Sequence, residues 1–147
     1  MRTMYESAQD LSNEARVREY VAEKFSAVVH KVPLSYGVDS MVTVDGKLVA
    51  WLEIKCRPGM VWGLYPDVMI SVLKLRAAAG LKASTGIDTY FVVSDVNNEI
   101  KSANLCKTCP DWIRYGGRTT DTRDSADIEP VCHIPLDQFT EVTPWDQ

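Results

Sequence analysis

The dipeptide Asp45-Gly46 stands between two runs of β-prone residues, Val38–Val44 and Lys47–Cys56. Such a dipeptide tolerates the positive φ angles of a tight hairpin turn, so the two runs are expected to pair antiparallel. Arg57-Pro58-Gly59 ends the second run. Along that run side chains alternate faces, placing Trp51, Glu53 and Lys55 on one face and Leu52 and Ile54 on the other. A charged pair on a strand that otherwise reads as buried is costly unless something neutralises or uses it. Whether Asp39 joins the same face depends on the hairpin register. A two-residue loop sets Asp39 opposite Leu52, on the wrong face. A three-residue loop ending in Gly46, with a bulge, sets it opposite Trp51 and on the face of Glu53 and Lys55. The bulged loop is the expected form.

Around this hairpin the chain reads as α/β. A helix is expected from Ser12 to Val29, capped by Asp10 or Ser12, with Val17, Val21, Phe25 and Val28 as its buried stripe. Glu14 falls inside that stripe, whereas Glu19 and Glu23 point away. His30–Tyr36 reads as a break. A second helix is expected from Pro66-Asp67 to Ala79, with Gly80 as its C-cap. Being apolar on several sides, it should be well covered. Thr89–Ser94, reading TYFVVS, suits a central strand covered on both faces. Residues Asn97 to Asp127 read as mostly irregular, with a short helix near Ile100–Leu105. Glu129–Pro135 reads as a last strand and Leu136–Phe139 as a turn. The result is a mixed sheet flanked by helices.

Length and composition bound the class but not the activity. A chain of 147 residues fits one domain, residues 1–147, and can bury a core without disulfide or metal staples. No apolar run approaches the length of a bilayer span, and MRTMYESAQD carries no signal-peptide pattern. The default expectation is a cytoplasmic protein that contacts no membrane, with its four cysteines reduced. A net charge of −4 does not advertise a nucleic-acid binder. It permits one that gathers carboxylates around a cation and is basic only where phosphate lies.

Asp39, Glu53, Lys55 and Glu14 suit phosphodiester hydrolysis. Hard divalent cations such as Mg²⁺ or Mn²⁺ take carboxylate and carbonyl oxygens. Asp39 and Glu53 would hold the ion, with the Ile54 carbonyl and with Glu14 directly or through water. Such an ion polarises a phosphoryl oxygen and activates a water, and Lys55 would orient that water or balance developing charge. Glu-x-Lys alone carries almost no information. The weight lies in its coincidence with a strand, an upstream aspartate, a shared face and a buried-side Glu14. The plain alternative for Glu53 and Lys55 is a structural salt bridge.

Asp39, a hairpin, then Glu53-Ile54-Lys55, behind a helix bearing Glu14, resembles the PD-(D/E)XK nuclease superfamily. Val38 stands where the motif name has proline. The stretch GGRTTDTRDSADIEPVCHIP is also similar to the C-terminal part of small phage and bacterial members. The resemblance implies the restriction-endonuclease-like αβββαβ core also found in Holliday-junction resolvases. The first strand of that core is not evident; Ala27–Val32 is where it could hide. The resemblance further implies Asp39, Glu53 and Lys55 as catalytic residues and DNA as partner, in phage DNA processing or recombination.

Arg57, Tyr65 and Lys74 are further candidates for substrate contact, as are Arg114, Arg118 and Arg123 in a glycine-containing stretch. Lys74 reads more readily as an ordinary helix lysine, and the arginines as solvated loop charges. The four tryptophans read as core or rim. Cys106, Cys109, Cys132 and His133 form part of a zinc signature, although adjacent Cys132 and His133 should face opposite ways. Three functions therefore stand side by side: a nuclease, a nucleic-acid-binding module on the same fold that has lost catalysis, and a zinc-stabilised interaction domain. For the nuclease, so small a domain is expected to act as a homo-oligomer, a dimer or larger.

Overall fold

The computed structural model describes residues 8–108, 110–117 and 128–142. Helix α1 spans Ala8–Phe25, and Val17 and Val21 are its buried positions. It stops four residues short of the expected end. Ser26 takes a positive φ of 50°, and the chain turns directly into strand β1, Val28–Lys31. The missing first strand of the core thus lies within Ala27–Val32, and Val28 is an exposed strand residue rather than part of the helix stripe.

Strands β2 (Ser40–Val44), β3 (Lys47–Cys56), β5 (Thr89–Ser94), β6 (Ile100–Asn104) and β9 (Thr140–Glu141) complete a six-stranded sheet in the order β1-β2-β3-β5-β6-β9. β3 and β5 are parallel, and every other neighbouring pair is antiparallel. The element between them is a crossover made of strand β4 (Asp67–Ser71) and helix α2 (Val72–Thr85). β4 leaves the main sheet to join β8 (Ile128–Pro135) and β7 (Trp112–Gly117) in a second, three-stranded sheet.

Three expectations are corrected here. Pro66–Ser71 does not open the second helix, because Val68 and Ile70 alternate with Met69 and bury one face of β4. That alternation outweighs the helical reading. The helix begins only at Ser71, whose Oγ accepts from Leu73 N–H, and runs past Gly80 to a left-handed Gly86 cap. Nor is the helix well covered, since Ala78 is its buried residue and Leu73 is exposed. The residues read as irregular carry β6 and β7, and no helix forms at Ile100–Leu105. Ile100, Ser102 and Ala103 are buried there, which offsets the low β-propensity of that strand's sequence.

The main sheet is covered on both faces. On one face α1 buries Val17 and Val21 against Val42, Leu52, Ile54 and Val92. On the other, Phe91 and Val93 pack with Val68, Ile70, Cys132 and Ile134 of the small sheet and with Ala78 of α2. β3 is therefore buried on both sides, and Glu53, at 2% exposure, lies inside it. No helix among the described residues is long and apolar enough to cross a membrane.

Two glycines beside α2 predict opposite responses. Gly80 is an interior helix position with open space where a Cβ would stand, so Gly80→Ala should stabilise by about 0.5–1 kcal/mol. Gly37 has φ +78° and an added Cβ would meet Ala77 Cβ at 2.7 Å, so Gly37→Ala should destabilise. Urea titration of both variants checks the pair.

Candidate active site

The β2–β3 hairpin decides which side chains meet. Its loop has two residues, with Val44 paired to Lys47, and φ is positive at both Asp45 (52°) and Gly46 (77°). This is the primed turn that an Asp-Gly pair favours. The three-residue loop expected from sequence is not formed. Instead the register shifts between Val42 and Thr43: Thr43 faces Leu48 but Val42 faces Ala50, leaving Val49 as an extra residue on β3. The bulge restores the parity that the two-residue turn would lose. The register ends at Ser40 opposite Leu52, so its next step brings Asp39 toward Glu53, not Trp51. Asp39 reaches the expected face by a different route.

At the end of β2 the chain bends. Asp39 Oδ2 accepts a 2.8 Å hydrogen bond from Ile54 N–H, and Asp39 N–H donates to Leu52 O. Asp39 thus caps the open edge of β3 where β2 has run out. Burial pushes its carboxyl well above the usual carboxylate range; the Glu53 and Glu14 charges push the same way, while the Ile54 hydrogen bond and Lys55 oppose.

Glu53 is held by two lysines. Lys74 Nζ lies 3.2 Å from Oε1, and Lys55 Nζ lies 3.8 Å from Oε2. The Lys74 contact lacks hydrogen-bond geometry, so Oε1 is buried with no hydrogen bond. Lys74 also donates to Gly37 O at 2.9 Å, tying α2 to the turn before β2. The helix pattern alone underweights Lys74. Its placement depends on α2 starting at Ser71 rather than at Pro66, which rotates every later helical position. Arg57, just beyond β3, is half-buried, and desolvation pulls it below the usual arginine range while Glu53 opposes that pull. Its Nη2 donates to Met69 O. Tyr65 stands exposed in the loop before β4.

Glu14 approaches this group from α1. Its Oε2 is 3.5 Å from Arg18 and 3.6 Å from Lys31, and is likewise buried without a hydrogen bond. Lys31 has no signal in the sequence, where it falls in an expected break. Glu14 acts on Asp39 through charge, but no three carboxylate, cysteine or histidine donors among the described residues form a ready cation cage. Even so, the donor set suits a hard cation. Two buried carboxylate oxygens, Glu53 Oε1 and Glu14 Oε2, lack hydrogen bonds, and Asp39, which feels both charges, is disfavoured as an anion.

The zinc expectation gains no geometry. Cys132 packs in the core while His133, one residue on, bonds to Asp67 and Arg114. Cys109 lies outside the described residues, as do Arg118 and Arg123. Cys56 packs on the α1 side, away from Glu53. Arg114 lies on β7 rather than in a loop.

No curated protein matches this chain. The model of one family, described as phage putative PDDEXK endonuclease, matches residues 1–142. With a mixed sheet, a helix on one face and a bulged hairpin carrying Asp39 and Glu53-Ile54-Lys55, the chain belongs to that family and so to the PD-(D/E)XK nuclease superfamily.

Proposed function

We propose that this chain is a divalent-metal-dependent deoxyribonuclease whose site is Asp39, Glu53 and Lys55. The observation that carries this reading is the carboxylate group: Glu53 Oε1 and Glu14 Oε2 are buried with cation contacts but no hydrogen bond, and Asp39, which feels both charges, is pushed toward its protonated form. Superfamily membership supports a nuclease and divalent-metal use in general. Asp39 and Glu53 would hold Mg²⁺ or Mn²⁺. The Ile54 carbonyl is suitably placed, because N–H and C=O of one strand residue point the same way and Ile54 N–H points at Asp39. Glu14 would contribute through water. Such an ion supplies Lewis acidity and a nucleophile at neutral pH.

The chain's own residues do the rest. Lys55, about half exposed at the strand end, would place the attacking water and offset charge on the phosphorane. Lys74 would hold the Glu53 carboxylate in place from the α2 side. Arg57 would meet the substrate phosphate next to Glu53. The chain is small for wrapping DNA alone, so we infer a homodimer or larger assembly. A cytoplasmic location and a role in phage DNA processing or recombination belong to the same proposal. Light scattering of the DNA complex tests the assembly.

The first test is cleavage of labelled single-stranded, linear duplex and four-way-junction DNA with Mn²⁺. Glu53→Ala should reduce cleavage to background. Lys55→Ala should lower kcat by about 10²–10³-fold while metal binding, read by calorimetry, persists. A folded wild type that binds but cuts none of these substrates would favour the non-catalytic binding module.

A second expectation comes from Asp39. Its folded-state pKa is raised, so the stability it contributes by holding a proton is present at low pH. That contribution is lost as pH climbs from the ordinary carboxylate value through the folded one. In metal-free protein at neutral pH, Asp39→Asn should raise Tm by about 2–4 °C, the response to about 1 kcal/mol in a domain of this size. The same variant should lose cleavage. A melting temperature unchanged or lowered at neutral pH would contradict the proposed strain.

A further inference from the structure

The three-stranded sheet turns Val68, Ile70, Cys132 and Ile134 toward the core. Its other face carries the alternate side chains, and the pairings Met69↔His133 and Trp112↔His133 align three of them across the strands. His133 is nearly buried at 8% exposure. Its Nδ1 lies 2.8 Å from Asp67 Oδ1, and Arg114 Nε donates to its Nε2 at 2.9 Å. A guanidinium has no acceptor, so Nε2 accepts and Nδ1–H donates to Asp67. The imidazole is locked from both sides.

On this locked ring lies Trp112, with centroids 3.9 Å apart and planes 2° apart. Yet Trp112 is 47% exposed, so the ring surface away from His133 is open. Arg114 Cζ sits 5.6 Å from the Trp112 centroid. Its Nη2 also contacts Met69 Sδ at 3.4 Å, its guanidinium lies against Gly116, and among the described residues no carboxylate pairs with it. A held cation, unpaired among those residues, therefore stands close to a half-exposed indole. The platform is connected to the catalytic strand: Met69, which Arg114 touches through sulfur, accepts from Arg57 through its carbonyl, and Arg57 senses Glu53.

We propose that Trp112 and Arg114 bind an unpaired nucleic-acid strand, with a base stacked on the open indole and a phosphate on the guanidinium. This inference rests on the nuclease reading and narrows its substrate to DNA with a single-stranded segment at an end, flap or opened junction. A stacked indole meets a base by its face rather than its edge, and the bases of a closed duplex already stack on one another. Only an unpaired strand presents a base face and a phosphate together. The Asp67–His133 pair acts as the positioning device, because it removes the freedom an exposed tryptophan would otherwise lose on binding.

The test is fluorescence anisotropy of the full chain in EDTA, with labelled oligothymidylate and a blunt duplex of equal length. Trp112→Ala should weaken oligothymidylate binding by about tenfold and duplex binding by less than about twofold. Trp112→Phe, which keeps an aromatic face, should restore most of the loss. Arg114→Ala should lower the slope of log affinity against log salt by about 1. Unchanged oligothymidylate affinity in Trp112→Ala, or an equal loss on both DNAs, would overturn the proposal. Binding is read without metal, so a chain that proves unable to cut DNA still tests the platform. Failure of the platform, conversely, leaves the Glu53-dependent cleavage assay intact.

Discussion

Side chains alternate faces along a strand, so one inserted residue at Val49 governs which groups can meet in this protein. The tight Asp45-Gly46 turn, left uncorrected, would send Asp39 to the face of Leu52 and into the core beneath α1. The bulge reverses that parity. Asp39 then lies over the exposed edge of β3, where Ile54 N–H holds its carboxylate. Everything proposed for the site follows from that one step in register.

The second constraint is electrostatic. Glu53 is buried in the middle of a doubly covered strand, an expensive place for a charge. Lys74 and Lys55 offset much of the cost, but their contacts leave Oε1 without a hydrogen bond. Glu14 Oε2 also lacks a hydrogen bond. Natural structures tolerate such orphaned groups where function uses them. A cation bound there would offset carboxylate charge, and the proposed chemistry rests on that fit.

The small sheet has two distinct faces. Its inner face closes the core over β5, while its outer face builds the His133–Trp112–Arg114 stack. The two faces follow from the same alternation that sets Glu53 and Lys55 on one face of β3, with Cys132 inward and His133 outward. That split points the cysteine and the histidine to opposite sides of the strand.

What the sequence by itself determined was local: the two hairpin strands with their Asp-Gly turn, the strand at Thr89–Ser94, and the projection of Glu53 and Lys55 from one face. These depend on neighbours a few residues apart, and turn chemistry and alternation suffice to read them. The resemblance named the nuclease superfamily from the same residues. The rest was decided by tertiary structure, because it depends on contacts between distant segments. The apolar run Val68–Ile70 becomes a strand because β8 is there to pair with it, and helix α2 is thereby delayed until Lys74 faces Glu53. The Val49 bulge leaves no signature in local propensity, and Lys31 meets Glu14 only after β1 packs beside α1. Hydrogen bonding and burial across the fold set those positions, and no pattern within a single segment encodes them.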